Sequence, residues 1–254
     1  MNTTKIWLKN YPEGIPAEID SLGFEDLKDF LDKTLIHGGD RTAFISMDKK
    51  LSYKMLDVYS RDFGAYLHSI GLKSGDKIAL MMPNIFQYPI ALFGAVRAGI
   101  IVVNTNPLYT PREMKLQFQD SGVKAIVIAD NFAANLQEII KETKIEHVVL
   151  TSIGEMLGAK GVIVNLVIKY IKKLVPSFQL TNTISFSKAL KLGEGKELPE
   201  FKSNLDDTVI LQYTGGTTGI AKGAMLTHRN LLANLEQIRV IFLSVLKQDE
   251  EWSL

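Results

Sequence analysis

The stretch TVILQYTGGTTGIAKG, residues 208–223, joins an apolar run to a run of glycine and threonine that ends in one lysine. Residues 208–213 are β-branched and apolar enough to form a buried strand. Beyond them, glycines let successive backbone N–H groups turn toward an anion, and threonine hydroxyls add further donors. The sequence therefore predicts a phosphate-binding loop at the carboxyl end of a strand, the edge at which open α/β sheets bind ligands.

The candidate site consists of this loop and its two ends. Thr214 and Lys222 are the candidate catalytic residues, as a hydroxyl donor and a positive point charge. A Gly/Thr-rich surface loop with a solvated lysine is the alternative. We favour phosphate binding because an unbroken run of glycine and threonine leaves no side chain for a core to hold. The residues expected to bind the phosphate-bearing ligand are Tyr213, Thr214, Gly215, Gly216, Thr217, Thr218, Gly219 and Lys222.

Two common phosphate loops do not fit this stretch. A Walker A loop needs a glycine before its lysine and a hydroxyl residue after it, whereas Ala221 and Gly223 flank Lys222. A dinucleotide fingerprint G-x-G-x-x-G is also absent. Neither pattern therefore identifies the loop.

Four further runs, nearly continuous in apolar residues, precede the strand, as expected for strands covered on both faces. They are residues 77–82, 100–104, 124–129 and 146–151. The intervals leave room for one helix between each pair. Residues 110–113 (TPRE) are a capping box that starts one of these helices, and Asn84 is the expected cap of an earlier one. The alternation predicts an α/β fold with a doubly wound, mostly parallel sheet and flanking helices.

Residues 153–180 interrupt this alternation and form a basic, amphipathic insertion. In a helix, Asn165, Lys169 and Lys173 would share one narrow polar stripe, and most of the remaining surface would be apolar. Residues 156–180 contain four lysines and no acidic residue. A helix packed on its own protein and a helix lying in the headgroup region of a membrane both fit this pattern.

Composition narrows the class of protein. The net charge of +1 offers no bulk attraction for nucleic acid, so no nucleic-acid partner is expected. The absence of cysteine excludes disulfides and thiolate metal sites, and the four histidines lack metal-ligand spacing, so we expect no metal site within the chain. No apolar signal-peptide core occurs at the start. We therefore expect a cytoplasmic protein, with peripheral contact at the inner face of the cell membrane left open by the insertion.

Residues 213–223 resemble the signature of the adenylate-forming enzymes, which include acyl-CoA synthetases, firefly luciferase and peptide-synthetase adenylation domains. Every position is compatible with that signature, although Ala221 stands where many members have proline. From Trp7 to about Arg239 the chain also resembles the bacterial long-chain fatty-acid-CoA ligases. The stretches that carry this second resemblance are MMPN (81–84), QYPIALFG (87–94) and VNTNPLYTPRE (103–113).

The resemblance implies that residues 1–254 are an incomplete N-terminal, AMP-binding domain of an ATP-dependent fatty-acid-CoA ligase. Its substrates would be a long-chain fatty acid, ATP and CoA, with Mg²⁺ offsetting polyphosphate charge. The family's magnesium-binding glutamate, ribose-binding aspartate and later catalytic lysine would lie after Leu254. We therefore expect the 254-residue chain alone to make no acyl-CoA. The resemblance does not determine which fatty-acid chain length is preferred or whether the protein forms a homodimer.

Two alternatives from other classes remain at this point. One is a truncated nucleotide-binding or membrane-binding module without turnover. The other is a different adenylate-forming acid activator, such as an aryl or peptide-synthetase enzyme, which residues 104–113 make less favoured.

Overall fold

A computed structural model describes residues 5–12, 14–19, 21–214 and 221–245. Within these residues the chain forms nine β-strands in two sheets. The strands are β1 (Thr42–Ser46), β2 (Lys49–Ser52), β3 (Lys77–Met81), β4 (Ile101–Asn104), β5 (Ala125–Ala129), β6 (His147–Thr151), β7 (Thr183–Ser185), β8 (Thr208–Thr214) and β9 (Lys222–Thr227).

Helices fill the intervals between the strands, and the same described residues contain eight α-helices. They are α1 (Leu27–Gly38), α2 (Tyr53–Ser69), α3 (Gln87–Arg97), α4 (Pro111–Ser121), α5 (Ala133–Ile139), α6 (Ala159–Leu166), α7 (Phe186–Gly193) and α8 (His228–Val245). A π-helical segment, Val167–Ile171, continues directly from α6. None of the helices in the described ranges is long and apolar enough to cross a membrane.

The main sheet has seven strands in the order β7-β6-β5-β3-β4-β8-β9, and only the last pair, β8 with β9, is antiparallel. Strands β1 and β2 form a separate antiparallel hairpin. The chain moves from β3 to β4, crosses back over β3 to β5, and returns to the far side for β8. Such a reversal of strand order defines a doubly wound sheet, which confirms the predicted fold class.

Helices cover both faces of this sheet. Helices α2, α3 and α7 pack on one face, where Leu80 and Val127 are buried, and α4 and α5 pack on the other, where Ile126 and Ile128 are buried. A third cluster joins α1 to α8 through residues such as Leu31 and Leu232. Because both faces are covered, the central strands are apolar at nearly every position, as their sequences predict.

The predicted helix starts have different outcomes. At α4, Thr110 caps the helix through the expected box, with its Oγ1 accepting from Glu113 N–H and the Glu113 carboxylate accepting from Thr110 N–H. The cap expected at Asn84 is wrong. A turn in which Ile85 N–H bonds the Pro83 carbonyl separates β3 from α3, so that the helix begins only at Gln87.

Arg97 ties three helices together from a buried position on α3. Its Nε lies 2.8 Å from an Asp32 carboxylate oxygen on α1, and its Nη2 lies 2.9 Å from an Asp57 carboxylate oxygen on α2. Its Nη1 donates to the Asp57 carbonyl and to Ser60 Oγ. This cluster fixes how α1, α2 and α3 meet on one face of the sheet.

Replacing Arg97 with alanine is expected to lower the free energy of unfolding by about 3 kcal/mol, because it leaves partly buried carboxylates without their cation. Arg61→Ala is the matched control, since Arg61 reaches the same Asp57 at 3.4 Å from an exposed position. It should cost about 0.5 kcal/mol. Urea unfolding followed by circular dichroism measures both, and equal losses would contradict the clamp role of Arg97.

Candidate phosphate-binding site

Strands β8 and β9 bring the two ends of the predicted loop together. In their antiparallel ladder Thr214 lies opposite Lys222, and Tyr213 lies opposite Gly223. Directly opposed residues have Cβ atoms about 5 Å apart on the same side of the sheet. Thr214 and Lys222 are both exposed, so a hydroxyl and an ammonium group are presented side by side at the carboxyl end of β8. The loop nucleotide-binding residues Gly215, Gly216, Thr217, Thr218 and Gly219 lie outside the described residues.

Tyr213 lies on β8, and its ring packs against β9, the other strand next to the loop. Its side chain is buried beneath the end of β8, and its ring occupies the space where a side chain at position 223 would project. A Cβ added to Gly223 would lie 2.9 Å from Tyr213 Cζ, so a side chain there would force the Tyr213 ring to move. The Tyr213 hydroxyl donates to the carboxylate of Asp120, near the end of α4. Burial and the neighbouring Asp120 carboxylate raise the pKa of Tyr213, so the phenol keeps its proton and acts as the donor.

A second set of hydrogen bonds fixes β8 through the preceding residue, Gln212. The Gln212 side-chain oxygen accepts from Asn104 Nδ2 at 2.9 Å, and Asn104 Oδ1 accepts from the Tyr88 hydroxyl at 2.9 Å. Gln117 Nε2 on α4 donates to the Asn104 carbonyl at 2.9 Å. Asn104 therefore links α3, α4, β4 and β8.

Sequence reasoning missed Asp120 and Gln212. Gln212 had no distinguishing signal inside an apolar strand. Asp120 carried a signal in the sequence. An acidic residue in the last turn of a helix interacts unfavourably with the helix dipole, which suggests a compensating interaction elsewhere. The hydrogen bond from Tyr213 supplies that interaction.

His228 lies beside the amino-terminal end of β8, at the opposite end of this strand from the loop. Thr227, next to it in the chain, pairs with Thr208 at the start of β8, so about 20 Å of strand separate it from Thr214. Its Nδ1 accepts from Leu27 N–H at 3.0 Å and anchors the start of α1. Its side chain therefore serves to hold the start of a helix.

One cavity among the described residues lies away from the loop. A cavity of about 310 Å³ lies at the amino-terminal edge of the sheet, lined by residues including Ser74, Phe201, Asp207 and His228, and so faces away from Lys222. In the described part of the chain, no three acidic or histidine side chains are grouped to hold a metal ion.

The described residues thus form an α/β protein with a doubly wound sheet, in which a hydroxyl and a lysine lie at the two ends of the candidate phosphate-binding loop. Residues 31–252 match the family described as AMP-binding enzyme. The chain belongs to this family.

Within this family the chain is similar to several CoA ligases. Long-chain-fatty-acid--CoA ligases from Salmonella typhimurium and from Escherichia coli O6:H1 are 48% and 49% identical over 249 residues. Each match covers 97% of this chain and 44% of the relative, so the chain spans less than half the length of these proteins. A 4-coumarate--CoA ligase from Solanum tuberosum is 26% identical over 226 residues, which is 89% of this chain and 35% of that protein.

Among solved structures, a long-chain-fatty-acid-CoA ligase from Archaeoglobus fulgidus superposes with a TM-score of 0.70 at 22% identity. That match covers 91% of this chain and 42% of the other. An anthranilate CoA ligase bound to anthranoyl-AMP superposes with a TM-score of 0.66 at 20% identity, over 81% of this chain and 35% of the other. At these identities the structures support the fold, which both share with this chain.

The His228 contact predicts a pH-dependent stability. Burial lowers the pKa of His228, and the nearby Asp26 and Asp207 carboxylates only partly oppose this effect. Because the folded protein holds the proton less tightly than the unfolded chain, this contribution is complete above pH ~6.5 and is lost as the pH falls toward the lowered folded-state pKa.

Urea unfolding at pH 7.5 and 5.5 tests this expectation. His228→Gln keeps an acceptor for Leu27 N–H but cannot titrate, so the variant should lose less stability between the two pH values than the wild type. His37→Gln, at the exposed end of α1, is the control and should follow the wild type. A His228→Gln variant with the full wild-type pH dependence would contradict this role.

Proposed function

We propose that this chain is the N-terminal part of an ATP-dependent long-chain fatty-acid-CoA ligase. The observation that carries the proposal is the pairing of Thr214 with Lys222 at the two ends of the loop, at the carboxyl edge of a doubly wound sheet. Membership of the AMP-binding enzyme family supports a nucleotide substrate. The near 50% identity to long-chain fatty-acid-CoA ligases, against 26% to a 4-coumarate-CoA ligase, favours a fatty acid over an aryl acid.

The proposed reaction has two steps. A fatty-acid carboxylate oxygen attacks the α-phosphorus of ATP, the bond from that phosphorus to the β-phosphate oxygen breaks, and pyrophosphate leaves. The CoA thiol then loses its proton and attacks the acyl carbonyl, and AMP departs with the electrons of the acyl–oxygen bond. Mg²⁺ enters as part of the MgATP substrate and offsets charge on the phosphates.

The contribution of this chain is to the first step. The Lys222 ammonium and the Thr214 hydroxyl would hold the β- and γ-phosphates and stabilise the charge that develops on leaving pyrophosphate. The donors of residues 215–219 would orient the same phosphates, which keeps the α-phosphorus in line with the carboxylate. Catalysis by such a site depends mainly on position and charge, and therefore on how firmly β8 and β9 hold the loop.

Lys222→Ala in the full-length protein is expected to slow fatty-acid-dependent pyrophosphate exchange at least ~10-fold, since one donor at a developing charge contributes several kcal/mol. Lys196→Ala, at an exposed position just after α7, is the control and should change the rate less than about twofold. An unchanged exchange rate in a folded Lys222→Ala variant would remove this lysine from the site.

We further propose that the segment formed by α6 and Val167–Ile171 contacts the surface of a membrane. The polar stripe predicted for this segment lies partly on its inner side. Asn165 Oδ1 accepts from Gly154 N–H, and its Nδ2 donates to Ser152 Oγ, both at 2.8 Å. Gly161 packs so closely on Gly154 that a Cβ at position 161 would fall 1.8 Å from the Gly154 carbonyl oxygen. Polar and small residues thus attach the segment to its own protein.

Although Val164 packs against the core, several apolar side chains in the segment and just after it are exposed to solvent. Six of them are between 51% and 72% exposed: Val162, Ile163, Leu166, Tyr170, Ile171 and Leu174. Exposed apolar side chains in such a group mark an interaction surface. Lys169, Lys172 and Lys173 adjoin it, whereas Lys160 already pairs with Asp48 at 3.0 Å. Cations beside an apolar face fit an anionic lipid surface, where each contributes about 1 kcal/mol.

Vesicle flotation of the full-length protein tests this contact. Changing Lys169, Lys172 and Lys173 together to glutamate should abolish flotation with vesicles that contain phosphatidylglycerol, and high salt should weaken wild-type flotation. Ile171→Glu should weaken flotation at both salt concentrations. Ile36→Glu, at a 70% exposed position on α1, is the apolar control and should float as the wild type does.

Unchanged flotation of the triple variant would contradict membrane contact. The apolar face could instead bind a second copy of the chain, and light scattering of the same variants tests this by measuring their molecular mass. A wild-type dimer that becomes a monomer in Ile171→Glu would assign the apolar face to self-association.

A further inference from the structure

We propose that Asp120 is a positioning residue that holds both ends of the phosphate loop through Tyr213. The inference rests on the proposed function and adds to it a residue outside the loop. Asp120 lies near the end of α4, 93 residues from Tyr213 in the sequence, and its carboxylate accepts the hydrogen bond from the Tyr213 hydroxyl.

The place of the Tyr213 ring carries the inference. The ring belongs to β8, the strand that leads into the loop, and it lies against Gly223 on β9, the strand that leads out. Tyr213 immediately precedes Thr214, and Gly223 immediately follows Lys222. A change in the orientation of this one ring therefore reaches the backbone next to both candidate catalytic side chains.

Asp120 fixes that orientation. A tyrosine ring held only by packing can shift within its pocket, whereas a hydroxyl bound to a carboxylate makes a strong, directional, charge-assisted hydrogen bond. The raised pKa of Tyr213 agrees with a phenol that keeps its proton for this bond. Asp120 is exposed near the end of α4, where a carboxylate opposes the helix dipole, and its hydrogen bond with the Tyr213 hydroxyl offsets that cost.

The consequence concerns ATP more than the fatty acid. If Asp120 is lost, Thr214 and Lys222 should keep their chemistry but sample a wider range of positions, which weakens contacts that need exact placement. A residue that served only folding would instead lower the amount of active enzyme and affect both substrates alike.

Steady-state kinetics of the full-length enzyme separate these roles. Asp120→Ala and Tyr213→Phe should each raise the KM for MgATP at least about 10-fold, the lower end of the range expected for one hydrogen bond to a charged group, and leave the KM for a long-chain fatty acid within about twofold. The double variant should be no worse than either single one, because both remove the same bond. Asp120→Asn keeps an oxygen acceptor and should recover most of the affinity for MgATP.

Asp40→Ala is the matched control, since Asp40 has a 90% exposed side chain on a different part of the surface. It should have wild-type kinetics. Additive effects of the two single substitutions, an equal loss in Asp120→Asn, or equal changes in both KM values would overturn the role of Asp120. A wild-type enzyme with no fatty-acid-dependent exchange would overturn the proposed function and this inference together, whereas a normal wild type with an unaffected Asp120→Ala variant would overturn only the inference.

Discussion

The pairing of β8 with β4 is the interaction on which the rest of the site depends. It brings Gln212 beside Asn104 from 108 residues away, while the chain between them builds β5, β6 and β7 on the other side of β3. Closing so long a loop costs conformational entropy, which the ladder and the two apolar faces must offset together. The loop thus leaves the sheet from a strand that exists only when the whole sheet has formed.

Strand geometry explains how this one strand is held from two sides. Successive side chains of β8 point to opposite faces, so Gln212 bonds Asn104 while Tyr213 turns toward α4 and Asp120. Neither contact touches a phosphate in the proposed reaction. Both fix the backbone from which Thr214 and the loop begin, and a site supported in this way on rigid elements can keep its donors in place without rearranging during the reaction.

Between β6 and β8 the structure differs from what local sequence patterns predict. No strand or helix is predicted for the region of β7 and α7, although Phe186, Ala189 and Leu190 have helical spacing and Ser185 caps the helix. In the segment after α6, the helical stripe drawn through Lys173 fails because the helix ends at Ile171. Which side of that segment faces the protein was decided by Asn165 and Gly161, since hydrogen bonds and close backbone approach outweighed the apolar pattern.

The sequence by itself determined the fold class, the central strands, the start of α4 and the strand that leads into the candidate loop, because these follow from local periodicity and capping. Only the tertiary structure decided that Thr214 lies opposite Lys222, that His228 is at the far edge, and that Asp120 reaches Tyr213. Those contacts join residues from separate elements. Their distances depend on strand order and register, which no short stretch of sequence specifies.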